Sequence, residues 1–370
     1  MTKDAVAEVF IYVDQFLSDW ISQHYHNGFW DTHWKNKSTK TVHPGEIKLY
    51  YRKFMSAVNV RFHPFKIQFK ITQVKIGHPE FVRQEGPKPN YIILDNTLYR
   101  MAKYFAKPKK ADTYDIVLYM TSKMLSTSTS SNMKLPYTFL GSSFVGGACQ
   151  KDKGKYYGVA IIQDLGTYSG VQSAVQNIGH LLGADKNGCN NECNDIYSAN
   201  IMTDNFAHKK WRRQKLNFNW TECAKKRINK FINSESKKGK CLYKTQKPKS
   251  KDKLTLIVWE ELISTIPTLK DQCVGIKWAE AKTRGEKDYD AMWWLCGNDP
   301  CQSLMCQLRH SWCHTMQLFL KKRDKFQMDC CDSKGPAMEG SRCDINGTVS
   351  DHGGYCKKGE CVGMNHLICS

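Results

Sequence analysis

The sequence predicts an α/β domain, a mostly parallel twisted sheet with helices, followed by a small disulfide-rich domain. Three observations carry this. Short apolar strands alternate with helical periodicities up to about residue 184. The cysteines are unevenly spread, five up to residue 241 (Cys149, Cys189, Cys193, Cys223, Cys241) and eleven from Cys273 to Cys369. A run of lysines separates the two regions.

The elements follow in order. "EVFIYVD" (Glu8–Asp14) is a short buried strand. "PGEIKLYYRKFMSAVNVRFH" (Pro44–His63) has apolar residues at helical spacing and a proline at its start, where the missing N–H costs nothing. "FKIQFKITQVKIG" (Phe65–Gly77) alternates at Phe65, Ile67, Phe69 and Ile71, then slips phase to Val74 and Ile76, which predicts a bulged strand. "DNTLYRMAKYFAK" predicts a helix capped by Asp95 or Asn96. "YDIVLYMTSK" (Tyr114–Lys123) and "YYGVAIIQD" (Tyr156–Asp164) are further buried strands, and 169–184 is a helix.

The segment from Ser236 to Lys253 holds eight lysines and one acid with few apolar residues, so it cannot bury a core. The predicted organisation is therefore a first domain over 1–243, a basic linker over 244–253 and a Cys-rich domain over 254–370. Five and eleven are both odd. Full pairing demands at least one disulfide between the domains; otherwise each domain keeps a free thiol.

Composition bounds the function. Apolar residues make up 41% of the 370-residue chain, enough for a sizeable core. Sixteen cysteines without repeated CxxC pairs point to an oxidising, extracellular setting. Sequons at Asn36, Asn219 and Asn346 agree with it. No apolar run reaches the roughly 18 residues of a membrane span. Met1 precedes a polar, charged stretch, and is read as the start of a mature chain whose signal and any pro-segment have been removed. The formal net charge of +20 serves solubility or an anionic partner: sulfated glycans, acidic protein faces or phospholipid. A nucleic-acid partner does not suit a disulfide-rich secreted chain.

The segment "QNIGHLLGADK" (Gln176–Lys186) poses the functional question. A helical H-E-x-x-H sets two imidazoles one turn apart on one metal, with the Glu polarising the attacking water. A glycine three residues on turns the chain so that a third His completes the set. The segment resembles this HExxHxxGxxH motif of the reprolysin-type metzincins, and "HLLGA" followed by "NG" resembles their tick salivary members. "EVFIYVD", "FMSAVNVRF", "FVGGAC", "GTYSGVQSAVQNIGHLLGA", the Met-turn "SANIMTD" with Met202, and "NWTECAKKRINKFI" then "CLY" resemble the same family in the same order. "AMEGSRCDINGTVSDHGGYCKKGECV" resembles the Cys-rich module of ADAMTS-type and tick salivary enzymes.

The resemblance implies a metzincin-like fold, and residue by residue it implies a degenerate site. Gln176 stands for the first zinc His, Asn177 for the general base and Lys186 for the third His; His180 alone survives. One imidazole supplies little of the roughly 10–16 kcal/mol of a full structural zinc site, and Asn177 cannot take up a proton. No zinc, no other cofactor and no proteolysis are expected. His180 then reads as a satisfied polar residue on the inner helix face, and Met202 as core. A metal site rebuilt with Asp185 and Glu192 is the competing reading. Ser173 and His180 lie too far apart on one helix to act as nucleophile and base, and Cys189 reads as bridged.

The resemblance also implies a structural calcium site at Glu8, Asp115 and the position of Lys244, whose ammonium could sit between the two carboxylates in the ion's place. After the Met-turn, "HKKWRRQK" sets Lys209, Lys210, Arg212 and Arg213 around Trp211, a solvated face or an anionic contact beside the cleft. The leading expectation is a secreted pseudoprotease that binds host extracellular proteins or sulfated glycans of haemostasis, complement or inflammation. The alternatives are an active hydrolase with a rearranged metal site and a basic heparin-binding protein whose cleft is incidental.

Overall fold

A computed structural model describes residues 5–26, 29–30, 43–83, 91–107, 114–126, 140–166, 168–185, 200–202, 220–233 and 239–243, with short pieces of the region beyond. In chain order these form β1 (Ala5–Asp14), α1 (Gln15–His24), β2 (Tyr25–His26), β3 (Phe29–Trp30), α2 (Pro44–Phe62), β4 (Ile67–Gly77), β5 (Tyr91–Ile93), α3 (Leu94–Phe105), β6 (Ile116–Thr121), β7 (Met124–Ser126), β8 (Gly141–Ser143), β9 (Lys151–Asp152), β10 (Lys155–Tyr156), β11 (Val159–Gln163), α4 (Val171–Leu181) and α5 (Glu222–Ile232).

The main sheet has the order β4-β1-β6-β11-β8. Its first four strands are parallel, with Ala5 opposite Ile67, Val9 opposite Ile116 and Val159 opposite Val117. The short edge strand β8 runs antiparallel to β11. The central strands are buried on both faces and read as nearly unbroken apolar runs. Alternation sends Val9, Ile11, Val13, Leu118 and Ile162 into a core with α1, α2, α4 and α5. It sends Phe10, Tyr12, Val117, Tyr119 and Ile161 to the other face, where α3 packs with Leu98, Met101 and Phe105. Ile266, beyond the lysine run, packs against the first of these cores.

The phase slip in β4 is a bulge. Val9 pairs with Ile71 and Phe10 with Gln73, so Thr72 is the extra residue, and its hydroxyl donates to the Val9 carbonyl at 3.1 Å. Phe65 lies outside the strand, in a 3-10 turn over His63–Phe65 that ends at Lys66 in the left-handed region. The cap expected for α3 is not made. Helix α3 begins at Leu94 straight from β5, Ile93 occupies the cap position without a side-chain bond, and Asp95 falls in the first turn, where it still favours the helix dipole. Helix α4 is shorter than expected, Val171–Leu181, because Gly170 precedes it and the chain turns at Gly183.

Cys149 is bonded to Cys241, Cys301 to Cys356 and Cys343 to Cys361. Cys223 is also disulfide-bonded. The first bridge ties the turn Lys240–Tyr243, which packs beside β1, to the loop after β8. Among the described residues no helix is long and apolar enough to cross a membrane.

Candidate functional site

Helix α4 lies between α2 and the strands β8 and β11. Its C-terminus closes as a Schellman turn. The Ala184 amide donates to the Gly179 carbonyl at 2.9 Å, and the Gly183 amide to the His180 carbonyl at 2.8 Å. Gly183 has φ +92°, a conformation that favours glycine. The loop after β8 holds the same helix end, with the Gly146 amide donating to His180 O at 2.8 Å and Ala148 to Leu181 O at 3.0 Å.

His180 is 2% exposed, and its Nδ1 lies 2.7 Å from the Ala184 carbonyl. A carbonyl only accepts, so Nδ1 carries a proton, and a neutral ring would then keep its lone pair on Nε2. The Schellman turn thus sets the tautomer of this imidazole. Gln176 sits one turn earlier, half-buried.

Asn177 is 3% exposed and bonded at both ends of its amide. Its Nδ2 donates to Ser173 O at 2.8 Å and lies 3.3 Å from Ser173 Oγ. Its Oδ1 accepts from Ser143 Oγ at 3.0 Å, and that hydroxyl also lies 3.1 Å from Asn177 O. Ser173 Oγ in turn donates to Leu140 O at 2.6 Å. Helix α4 is therefore laced to the edge strand through Ser143, Ser173 and Asn177. The fit is close: a Cβ on Gly141 would meet Asn177 Nδ2 at 2.4 Å, Ser173 Oγ at 2.7 Å and Ile161 O at 2.8 Å. Of these residues, sequence reasoning considered Ser173 only as a nucleophile and missed Gly141 and Ser143. Nothing in the local sequence marks them.

Met202 is buried under α4, its amide held by Asn200 Oδ1 at 3.1 Å. A Cβ on Gly179 would stand 3.0 Å from Met202 Sδ and from the Trp220 ring, so helix, Met-turn and Trp220 meet in van der Waals contact. Trp220 Nε1 donates to Arg61 O at 2.8 Å.

A second polar layer, also missed, lies at the carboxyl ends of the parallel strands. Asp164 Oδ2 accepts from Tyr50 OH at 2.8 Å, and Tyr50 OH accepts from the Tyr168 amide at 2.7 Å. Asp164 Oδ1 receives the amides of Gly166 and Gly170 at 3.2 and 3.3 Å and the Ser169 hydroxyl at 3.3 Å. Burial raises the Asp164 pKa above the usual carboxylate value, against the lowering effect of these donors. Burial likewise raises Tyr50, Tyr51, Tyr119 and Tyr156 well above the ordinary phenol value. Asp14 Oδ2 accepts from Tyr119 OH at 3.0 Å.

Glu8 and Asp115 come together at the start of β1 and β6. The Glu8 amide donates to Asp115 Oδ2 at 2.9 Å and the Asp115 amide to Glu8 O at 2.7 Å. Cys149 Sγ lies 3.4 Å from Asp115 Oδ1. Among the described residues, the candidate metal-ligating trios are Asp115 with Cys149 and Cys241, and Cys301 with Cys343 and Cys361. The sulfurs of both trios are in disulfides, so neither offers thiolate ligands. Lys186, Glu192, Lys244, the cluster Lys209, Lys210, Trp211, Arg212 and Arg213, and the sequons at Asn36, Asn219 and Asn346 lie outside the described residues.

No protein-family model matches the chain. It is 26% identical over 338 residues to a Bombyx mori protein named "A disintegrin and metalloproteinase with thrombospondin motifs like", covering 86% of this chain and 41% of that protein. It is 27% identical over 214 residues to venom metalloproteinase 3 of Eulophus pennicornis, covering 54% of this chain and 47% of that one. The chain thus spans less than half the length of these relatives. Among solved structures, the archaemetzincins of Archaeoglobus fulgidus and Methanopyrus kandleri align with TM-scores of 0.29 and 0.27 at 13% and 12% identity. They cover 60% and 64% of this chain and 99% and 94% of their own, a likeness too slight to carry an argument. The two named relatives support a reprolysin-like metalloprotease relationship for this chain.

Proposed function

We propose that the chain is a secreted metalloprotease homologue that has lost its chemistry and acts by binding. The observation that carries this is Asn177. At the position of the general base stands a neutral carboxamide, one end accepting from Ser143 of β8 and the other donating to Ser173 O within α4. It has no proton-accepting role to offer a water.

The residues at the metal positions do not fit zinc either. Such sites draw on three or four imidazole, thiolate or carboxylate donors. Here His180 is one imidazole, Gln176 a carboxamide and Lys186 an ammonium. The disulfides and the venom metalloproteinase relative support an extracellular setting. The resemblance to tick salivary enzymes supports host proteins or sulfated glycans of haemostasis, complement or inflammation as partners.

The test is metal analysis of the purified protein together with incubation on gelatin, casein and fibrinogen. No stoichiometric zinc and no cleavage are expected. Near-equimolar zinc, or cleavage blocked by a chelator, refutes the proposal and favours a rearranged metal site. A pull-down from host plasma then identifies the partner.

A further inference from the structure

Helix α3 and the β9–β10 hairpin pack together on the face of the sheet opposite α4. Their outer surfaces bring lysines from two separate elements to one place. Lys103 and Lys107 come from α3 and the residues just after it, and Lys151, Lys153 and Lys155 from the hairpin. Tyr99, 42% exposed, stands between Lys103 and Lys155. Lys103 Nζ lies 4.7 Å and Lys155 Nζ 4.3 Å from the centre of its ring. The ring thus holds two ammonium groups from different elements beside a single aromatic platform.

On α3 and the hairpin, lysines outnumber the two acids, Asp95 and Asp152. Among the described residues none of the five lysines is within ion-pair distance of a carboxylate. Asp152, opposite Lys155 across the hairpin, acts on its ammonium electrostatically without lying within ion-pair distance. Clustered like charges raise the energy of the free protein and are relieved by a polyanion that spans them.

We propose that this face is a binding site for a sulfated glycosaminoglycan chain, laid across α3 and the β9–β10 hairpin with sulfates on Lys103 and Lys155 and Tyr99 beneath a sugar ring. Sulfate esters are permanently charged and closely repeated, which suits a two-element lysine cluster. A sugar face suits an exposed ring. The site lies on the sheet face opposite α4 and stands whether or not the residues of α4 are inactive.

Tyr99 reports on the site. Lys155 first, then Lys103, lowers its phenol pKa. Sulfates that neutralise those ammonium groups would raise it again.

The experiment uses the whole chain with heparin as probe, by titration calorimetry at near-physiological salt. Heparin binding is expected, falling steeply with added salt. The double substitution Lys103→Ala, Lys155→Ala should keep the melting temperature and weaken binding roughly fivefold per lysine, on the order of 25-fold in all. Heparin should also shift the Tyr99 titration followed at the phenolate absorbance, a change missing in Tyr99→Phe. Loss of binding on replacing Lys209, Lys210, Arg212 and Arg213, with the double variant unaffected, overturns the assignment. Equal binding to unsulfated hyaluronan or to anionic phospholipid vesicles overturns the sulfated-glycan reading, and so does the absence of heparin binding.

Discussion

Replacing Asn177 by Ala removes one of the bonds that lace α4 to the edge strand while leaving the helix backbone intact. Two contacts to Ser173 and one to Ser143 are lost. Both serine hydroxyls keep another acceptor, Leu140 O at 2.6 Å for Ser173 and the backbone carbonyl of residue 177 at 3.1 Å for Ser143. No donor is orphaned, so the cost is that of net hydrogen bonds, about 1–2 kcal/mol in total. For a domain of this size that is a fall of about 2–8 °C in melting temperature. Asn177→Asp keeps the shape but exchanges the donor for a carboxylate oxygen facing the Ser173 carbonyl. That variant should be less stable than the alanine one at neutral pH. The new carboxyl's folded pKa is raised above its unfolded value of about 3.9. Its deficit is therefore absent below that value and grows as pH rises through the folded pKa, where the unfolded chain has already released the proton. Acidification to about pH 4 should recover most of the loss, because the protonated group can donate to Ser173 O. Urea unfolding of the three proteins at pH 4 and pH 7, with disulfides intact, reads all of this. An alanine variant equal to the parent, or an aspartate variant that does not recover in acid, would show that Asn177 is not the lace described.

Alkali should unfold the protein steeply. The four buried phenols Tyr50, Tyr51, Tyr119 and Tyr156 have raised folded pKa values, so their stabilising effect is whole below about pH 10 and is lost above it, at up to about 1.4 kcal/mol per pH unit for each. Unfolding between pH 9 and pH 11 measures the slope. Among the described residues the Tyr51 hydroxyl has no hydrogen-bond partner, so Tyr51→Phe should be nearly neutral at pH 7 and reduce the alkaline slope by about one proton's worth. The Cys149–Cys241 bridge closes a separation of 92 residues, and its replacement by two serines should cost about 4–5 kcal/mol in the chain-entropy view, read by denaturant unfolding; a loss under about 1 kcal/mol would contradict it. Restoring zinc binding by Gln176→His, Asn177→Glu and Lys186→His should yield little enzyme, because the Glu has no room beside Gly141; metal analysis and a gelatin assay of the triple variant decide it.

Much of the fold was legible in the chain because burial writes periodicity directly. The unbroken apolar runs of β1, β6 and β11 marked strands covered on both faces, and the phase slip at Thr72 marked the bulge. The segment at 176–186 was read against a known family spacing, which assigned residues to positions but said nothing of their surroundings. What those residues do now was decided elsewhere. Asn177 is a lace only because Ser143, 34 residues away, and Gly141 stand against it. Asp164 is a buried acceptor only because Tyr50, 114 residues away, reaches it. The lysines around Tyr99 form a patch only because α3 packs on the β9–β10 hairpin. Local sequence fixes which residues are apolar and which turn. Hydrogen bonds and like-charge clusters between distant segments depend on packing across the sheet, and no short stretch of sequence carries that.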